Sequence, residues 1–247
     1  MTIMVGQPLL SLRGIGKAFG KNAAVLEGVT LDVEKGEFLT LVGPSGCGKS
    51  TLLRLIAGLI APSAGTLSFP AGRPEIAFVF QEPTLMPWAT AAANARLALD
   101  LEGVKRGEAE ARARAALQRV GLDGVAAYPR QLSGGMKMRV SIARAMAVRP
   151  QLLLMDEPFA ALDEPSRQAL NDDLLTLWRE DGMTVVFVTH SLYESAYLST
   201  RVAVMAPGRI AALLPQNPPA QRDESWRLTA EFAAAAGRIS AALKGKP

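Results

Sequence analysis

The chain has 247 residues, a formal net charge of +4 and 49% hydrophobic residues. This length is sufficient to bury a hydrophobic core, and no apolar run approaches the roughly 18 residues of a membrane-spanning helix, so we expect no spanning segment. The modest charge is spread along the chain, which argues against nucleic acid as a main partner. The N-terminus lacks a secretory-signal pattern, and the single cysteine cannot form an internal disulfide, which is typical of a reducing compartment.

The first predicted elements are mostly β-strands. Apolar and β-branched residues predict strands over residues 9–19 and 25–33, and a short apolar run predicts a strand over 38–42. Residues 52–58 are expected to form a helix, and residues 75–80 a further strand.

The middle of the chain changes character and then returns to strands. Ala, Leu, Arg and Glu dominate from about residue 88 to 130, and their propensities and charge spacing predict a helix over 108–120. A helix over 137–148 is followed by apolar strands over 152–155 and 184–188. Short apolar strands that alternate with helices predict a parallel sheet covered on both faces, so we expect an α/β core with a helical insertion.

Boundaries follow from these shifts in composition. Asn217, Pro218 and Pro219 end the core, and residues 221–244 predict one alanine-rich helix. We therefore divide a single domain, residues 1–247, into three parts: an α/β core of 1–86 and 151–215, a helical subdomain of 87–150 and a C-terminal helical tail of 216–247.

A glycine-rich loop stands between the predicted strand 38–42 and the following helix. It matches G-x-x-x-x-G-K-[ST], the phosphate-binding P-loop, in the strand–loop–helix context that the motif requires. Glycines let the backbone N–H groups surround phosphates, and the helix N-terminus adds partial positive charge. Lys49 is expected to reach the β- and γ-phosphates, and the Ser50 hydroxyl to ligate Mg²⁺. The predicted phosphate-binding residues are Gly43, Pro44, Ser45, Gly46, Cys47, Gly48, Lys49, Ser50 and Thr51.

Two further motifs narrow the class of P-loop protein. Ser133, Gly134 and Gly135 precede the predicted helix 137–148 and, taken alone, are equally compatible with a second backbone phosphate site and with an ordinary loop and N-cap. The acidic strand end about twenty residues further on favours the phosphate site. Asp156 and Glu157 follow an apolar strand, at the sheet edge where open α/β sheets bind ligands. We expect Asp156 to hold Mg²⁺, and Glu157 to orient and deprotonate an attacking water.

Taken together, these motifs resemble the ATP-binding cassette (ABC) ATPases, the motor subunits of ABC transporters. The resemblance implies a P-loop ATPase (RecA-like) α/β core with an antiparallel β region and a helical signature subdomain. Residues 43–51 resemble the family's Walker A motif, residues 153–157 its Walker B motif, and residues 132–136 its signature.

Four single residues also match the family pattern. Gln81 resembles the Q-loop glutamine, Asp163 the D-loop aspartate, His190 the switch histidine and Phe19 the aromatic residue that stacks on adenine. Considered without the family, Phe19 could equally be a core residue, and Gln81 could be a polar residue that ends a strand. Asp163 could cap the following helix, and this N-cap role is compatible with a D-loop role.

The resemblance implies an ATPase that works as a pair. Two cassettes bind head to tail around two ATP molecules, so that Ser133, Gly134 and Gly135 act on the partner's nucleotide. The implied catalytic residues are Lys49, Glu157 and His190, and the implied Mg²⁺ ligands are Ser50, Gln81 and Asp156. A separate membrane permease and, through it, a solute-binding protein are implied as partners, which places this chain at the cytoplasmic face of the inner (cell) membrane.

Local sequence points to one subfamily. Residues 81–88 and 189–199 resemble the nitrate/sulfonate/taurine importer ATPases, although pyrimidine-precursor importers share these features. Methionine replaces the commoner glutamine at Met136 and Met138, and the second replacement is expected to weaken a contact around the partner's nucleotide. A soluble ABC ATPase acting on ribosomes or DNA, a nucleotide-sensing module and a P-loop small-molecule kinase remain as alternatives.

Overall fold

A computed structural model describes residues 7–20, 23–124, 126–219 and 221–245, so the predicted domain's first six and last two residues lie outside it. Within these residues, the strands β1 to β9 span Leu10–Lys17, Leu26–Val33, Phe38–Val42, Ala64–Ser68, Ile76–Val79, Leu152–Asp156, Thr184–Thr189, Arg201–Ala206 and Arg209–Pro215. The helices α1 to α8 span Lys49–Ala57, Ala91–Leu101, Arg106–Arg119, Gly134–Ala147, Glu164–Asp181, Leu192–Leu198, Glu224–Arg227 and Ala230–Leu243.

The predicted single helix over residues 221–244 is wrong. The segment forms two helices, α7 and α8, because Thr229 interrupts the first and caps the second: its Oγ accepts a hydrogen bond from the N–H of Phe232 at 3.2 Å. A threonine side chain competes well for the free N–H groups of a helix start, and an alanine-rich composition does not reveal that competition. Strands β4, β8 and β9 were not predicted either.

One compact unit contains the chain up to Pro74 and from Gly182 onward. In its first sheet, β1 pairs antiparallel with both β2 and β4. In its second sheet the strand order is β7-β3-β8-β9, with β3 parallel to both neighbours and β9 antiparallel to β8. Every residue of β3 and of β7 is buried, as expected for parallel strands that are covered on both faces.

A buried ion pair joins the beginnings of β3 and β8 in this unit. Glu37 is 8% exposed and accepts hydrogen bonds from Arg201 at 2.6 and 3.0 Å. Burial raises the pKa of the Glu37 carboxyl, and the adjacent guanidinium opposes that rise. The pair therefore fixes the register of the two strands at the end of the sheet opposite the glycine-rich loop.

The C-terminal segment packs against α6 and β8 in the same unit. The ring of Trp226 lies 5.8 Å from that of Tyr197 and 5.0 Å from that of Phe232, measured between centroids. Arg222 donates hydrogen bonds at 2.6 Å to the carbonyls of Tyr197 and Leu198, which end α6. The tail thus satisfies backbone acceptors that a helix C-terminus leaves open.

The second compact unit runs from Glu75 to Asp181. Its strands β5 and β6 are parallel, with Ile76 opposite Leu152 and Val79 opposite Met155. Helices α2, α3 and α4 pack against one another, and their buried residues recur at helical spacing, as in Ala91, Ala95 and Leu99 of α2. Small buried side chains allow these helices to approach closely. No helix among the described residues is long and apolar enough to cross a bilayer.

Candidate active site

The glycine-rich loop connects the end of β3 to the start of α1. Neighbouring atoms leave no room for a side chain at its outer glycines, Gly43 and Gly48. A Cβ on Gly43 would lie 2.5 Å from the carbonyl oxygen of Met205, which is too close for any side chain. Gly48 has φ +106°, and a Cβ there would lie 2.5 Å from the side chain of Leu26. These two positions hold the loop against β8 and the start of β2, and only glycine fits either of them.

Lys49 is the first residue of α1 and is only 4% exposed. Its Nζ donates hydrogen bonds to the carbonyls of Gly43 at 2.9 Å and of Pro44 at 3.1 Å. The ammonium group is therefore already inside the curve of the loop. There it can exchange weak carbonyl acceptors for the anionic oxygens of a phosphate.

The middle of the loop is open to solvent, whereas its ends are buried. Pro44, Ser45 and Gly46 are exposed, and no hydrogen bond in the described part of the chain engages the N–H of Ser45 or Gly46. Exposed N–H groups beside a helix N-terminus attract anions. Ser50, in the first turn of α1, is half-buried.

His190 and Phe19 belong to the same unit as the loop. His190 directly follows β7, which pairs with β3 along its whole length, so it lies at the sheet edge from which the loop emerges. Its side chain is exposed. Phe19 is 45% exposed with the ammonium of Lys17 5.0 Å from its ring centroid, so the core alternative for Phe19 is excluded.

In the second unit, two acids end strand β6. Asp156 is its last residue and is 7% exposed, and the half-buried Glu157 follows with φ +47°. A left-handed conformation is strained for a residue with a side chain, by about 1–3 kcal/mol, and such residues cluster at functional sites. The turn that follows is closed by a hydrogen bond from the N–H of Ala160 to the carbonyl of Glu157 at 3.3 Å.

The predicted signature and Asp163 come together in the second unit. Ser133 caps α4 by accepting the N–H of Met136 at 3.2 Å, and a Cβ on Gly134 would lie 3.7 Å from Leu162. Asp163 is exposed and accepts the N–H of Ser166 at 3.2 Å. Hydrogen bonds from the side chain and backbone of Ser166 lower the pKa of the Asp163 carboxyl, so it remains ionised as an N-cap at neutral pH.

Gln81 lies two residues beyond β5 and is exposed. Arg144 and Asn94, which were not predicted from the sequence, bind the segment that follows it. Arg144 of α4 donates hydrogen bonds to the carbonyls of Pro83 at 2.9 Å and of Thr84 at 3.0 Å. Asn94 of α2, fully buried, donates to the carbonyls at residues 86, 89 and 90. A buried asparagine within an alanine-rich helix was the available signal for this role.

Met138 and a cavity of the second unit lie apart from the predicted site residues. Met138 is 2% exposed within α4, so its side chain belongs to the core, and the expected effect on a contact with a partner's nucleotide stays a prediction. A cavity of about 550 Å³ between α2 and α3 is lined by Arg96, Glu110 and Leu117 among others, and contains none of the predicted site residues.

A phosphate loop between a parallel strand and a helix, with carboxylates at the end of another parallel strand, defines a P-loop nucleotide hydrolase. The family model for the ABC transporter matches residues 26–160. The chain therefore belongs to the ABC transporter family and is an ATP-binding, ATP-hydrolysing cassette of that family. This confirms the predicted α/β P-loop fold and the predicted ATPase activity.

Individual relatives agree with this assignment. The chain is 46% identical over 235 residues to the aliphatic sulfonates import ATP-binding protein SsuB of Rhodopseudomonas palustris, covering 93% of this chain and 81% of the relative. It is 45% identical over 227 residues to SsuB of Bacillus licheniformis, covering 87% and 88%. The solved structure of the ATP-binding cassette MJ0796, a dimer bound to ADP and phosphate after hydrolysis, matches with a TM-score of 0.75, 32% identity and coverage of 85% and 100%.

Proposed function

We propose that this chain is the ATP-hydrolysing subunit of an importer for a sulfonate-like solute. The observation that carries the proposal is the combination of a complete set of ATPase residues with extensive similarity to aliphatic sulfonate import proteins. The solute itself does not touch this chain. It crosses the membrane through a separate permease, to which a solute-binding protein delivers it.

In the proposed reaction, ATP binds with its phosphates on the loop of residues 43–51 and its adenine on the exposed face of Phe19. Lys49 leaves the carbonyls of Gly43 and Pro44 and binds the β- and γ-phosphates. Glu157 orients the attacking water and accepts its proton, while His190 contacts the γ-phosphate. The residues thereby neutralise the charge that develops during in-line attack on the γ-phosphorus.

The proposed Mg²⁺ ligands are all hard oxygen donors, which fit this ion. They are the Ser50 hydroxyl, the Gln81 amide oxygen and the Asp156 carboxylate. Among the described residues, no group of three or more His, Cys, Asp or Glu converges, which is consistent with an ion that takes its other ligands from phosphates and water. When bound, the ion supplies charge neutralisation at the phosphate oxygens.

We propose that two cassettes complete each site. Ser133 and Gly134 are exposed and Gly135 is half-buried at the start of α4, beside the exposed Asp163. In a head-to-tail pair these groups would meet the nucleotide on the partner's loop, with the helix N-terminus directed at its phosphates. The dimeric structure of the similar MJ0796 cassette supports pairing of two copies. The pair would act at the cytoplasmic face of the cell membrane, bound to the permease.

The ATPase half of the proposal is tested by phosphate release from wild type and Lys49→Ala. We expect the substitution to lower kcat by at least about 100-fold, because it removes the charge that stabilises the transferred phosphoryl group. Lys35→Ala is the matched control, since Lys35 is an exposed lysine of the same unit. Equal phosphate release from wild type and Lys49→Ala would contradict catalysis at this loop.

The importer half is tested by gentle solubilisation of native membranes and capture of the tagged chain. Co-purification of a polytopic permease and a solute-binding protein is expected, and that binding protein is then titrated with an alkanesulfonate such as taurine. Binding of a pyrimidine precursor instead would overturn the proposed solute class. Recovery of ribosomal or DNA-repair proteins without a permease would overturn transport and leave the ATPase assignment intact.

A further inference from the structure

The residue before His190 is a buried threonine whose hydroxyl both donates and accepts a hydrogen bond. Thr189 ends β7 and is 4% exposed. Its Oγ1 donates a hydrogen bond to Oε2 of Glu194 and accepts one from the N–H of Ser191 at 3.0 Å. The hydroxyl therefore connects the residues on the two sides of His190, and it does so in a buried environment where such bonds are strong.

The residues after His190 are fixed by the start of α6. Ser191 caps this helix by accepting the N–H of Glu194 at 3.2 Å. The carbonyl of Ser191 accepts both the N–H and the hydroxyl of Ser195, at 3.1 and 2.8 Å. Glu194 is 5% exposed, so its carboxylate lies under the turn rather than in solvent. The exposed His190 is thus the single outward residue between two immobilised positions.

We propose that Thr189 and Glu194 are positioning residues for His190. They hold the backbone of the turn in one conformation, so that the imidazole starts from a fixed point at the edge of the sheet. This inference rests on the proposed contact between His190 and the γ-phosphate. Neither Thr189 nor Glu194 touches the nucleotide, and their whole effect on hydrolysis passes through His190.

Thr189→Val tests the proposal because valine keeps the volume and β-branching of threonine and removes only the hydroxyl. We expect kcat for ATP hydrolysis to fall about 10- to 100-fold, the scale on which a displaced catalytic group acts, while the KM for ATP changes less than about threefold. Thr189→Ser, which keeps the hydroxyl, should recover most of kcat.

Thr184→Val is the matched structural control. Thr184 starts the same strand, is 1% exposed, and its Oγ1 accepts the N–H of Gly36 at 2.9 Å. It is therefore a similarly buried threonine at the other end of β7, whose hydroxyl also accepts a backbone N–H. We expect Thr184→Val to lower the melting temperature without lowering kcat. A similar loss of kcat in both variants would overturn the proposal.

A double variant separates positioning from general damage. If Thr189 acts only through His190, Thr189→Val combined with His190→Ala should be no slower than His190→Ala alone, within about twofold. Multiplication of the two single losses would overturn the proposal. Wild-type kcat in Thr189→Val would also overturn it, but would leave the ATPase assignment standing as long as Lys49→Ala is inactive.

A second pair of variants serves if Thr189→Val does not fold. Glu194→Gln keeps an oxygen that can accept the Thr189 hydroxyl, whereas Glu194→Met has similar volume and lacks it. The proposal expects Glu194→Gln to hydrolyse ATP at least about tenfold faster than Glu194→Met, with equal KM for ATP. Equal kcat values in the two variants would contradict it.

Discussion

At the scale of single residues, the space around the backbone and its conformation decide which amino acids fit at each position of the candidate site. Gly43 is required by the carbonyl of Met205 that lies against it, and Gly48 by both its φ of +106° and the side chain of Leu26. Glu157 shows the opposite case, because a residue with a side chain adopts φ +47° where glycine would be easier. In the proposed mechanism this strained backbone is retained because a carboxylate is needed at that point to orient the attacking water.

Gly43→Ala is expected to destabilise the fold although it adds one methyl group. A Cβ at 2.5 Å from a backbone oxygen forces β3 and β8 apart, at a cost of about 1–3 kcal/mol in the free energy of unfolding. Urea unfolding followed by circular dichroism measures this difference.

Gly237→Ala is the matched control for that substitution. Gly237 lies in α8 with no atom within 4 Å of a Cβ, so alanine should stabilise the protein by up to ~1 kcal/mol through helix propensity. If Gly43→Ala and Gly237→Ala both unfold at the wild-type urea concentration, close approach is not what selects glycine at Gly43.

At the scale of elements, α4 combines two parts of the proposed mechanism. Its N-terminus carries Ser133 and the two signature glycines, and further along the helix Arg144 binds the segment that follows Gln81. The two parts therefore belong to one continuous helix, which in the proposed mechanism would couple the segment after Gln81 to Ser133. Burial lowers the pKa of Arg144, and its carbonyl acceptors compensate for the lost hydration.

Arg144→Ala is expected to lower the free energy of unfolding by about 2–3 kcal/mol. The substitution removes charge-assisted hydrogen bonds to the carbonyls of Pro83 and Thr84 and to the hydroxyl of Thr84. Arg144→Lys should restore less than half of that loss, because one ammonium group cannot reproduce a planar guanidinium fork. Thermal and urea denaturation provide the measurement.

Arg179→Ala provides the comparison for Arg144. Arg179 is an exposed residue of α5 in the same compact unit, and its replacement should change the free energy of unfolding by less than about 0.5 kcal/mol. Equal stability of the Arg144→Ala and Arg179→Ala variants would show that Arg144 does not hold the segment.

At the scale of the whole molecule, the proposed mechanism assigns some exposed residues of this chain to the nucleotide site of a partner. Ser133 and Gly134 are exposed at the start of α4, and Asp163 is exposed beside them. In the proposed mechanism they serve a second cassette, so ATP binds the closed pair more tightly than the open one. Hydrolysis removes that difference in affinity and reopens the pair, which is how chemical energy becomes motion.

Glu157→Gln is expected to form a stable dimer in ATP, because nucleotide still binds and the water is no longer deprotonated. Size-exclusion chromatography with light scattering should show a dimer with ATP and a monomer with ADP, whereas wild type dimerises only briefly. Adding Lys49→Ala to this variant should abolish the dimer. Persistent monomers of Glu157→Gln at high protein and ATP concentrations would contradict the pairing.

The elements that were predicted correctly from the sequence are those that depend on residues close together in the chain. The strand over residues 38–42 is β3 itself, and the helix predicted over 108–120 is α3, which starts two residues earlier and ends one residue earlier. The glycine-rich loop was recognisable because the motif and its flanking elements occupy one short stretch. Ser133 was predicted to contribute to a second phosphate site, which stays a prediction, and the structure shows that its hydroxyl also caps α4.

By itself, then, the sequence determined the fold class, the phosphate loop and the family, since each follows from short-range periodicity and from residue types at fixed spacing. Tertiary structure alone decided that Phe19 is exposed, that Met138 is in the core, and that the C-terminal segment breaks at Thr229. It also decided which groups Arg144, Asn94 and Glu194 bind, because those partners are brought together by packing. Burial and hydrogen bonding depend on which elements meet, and that is settled by the free energy of the whole fold.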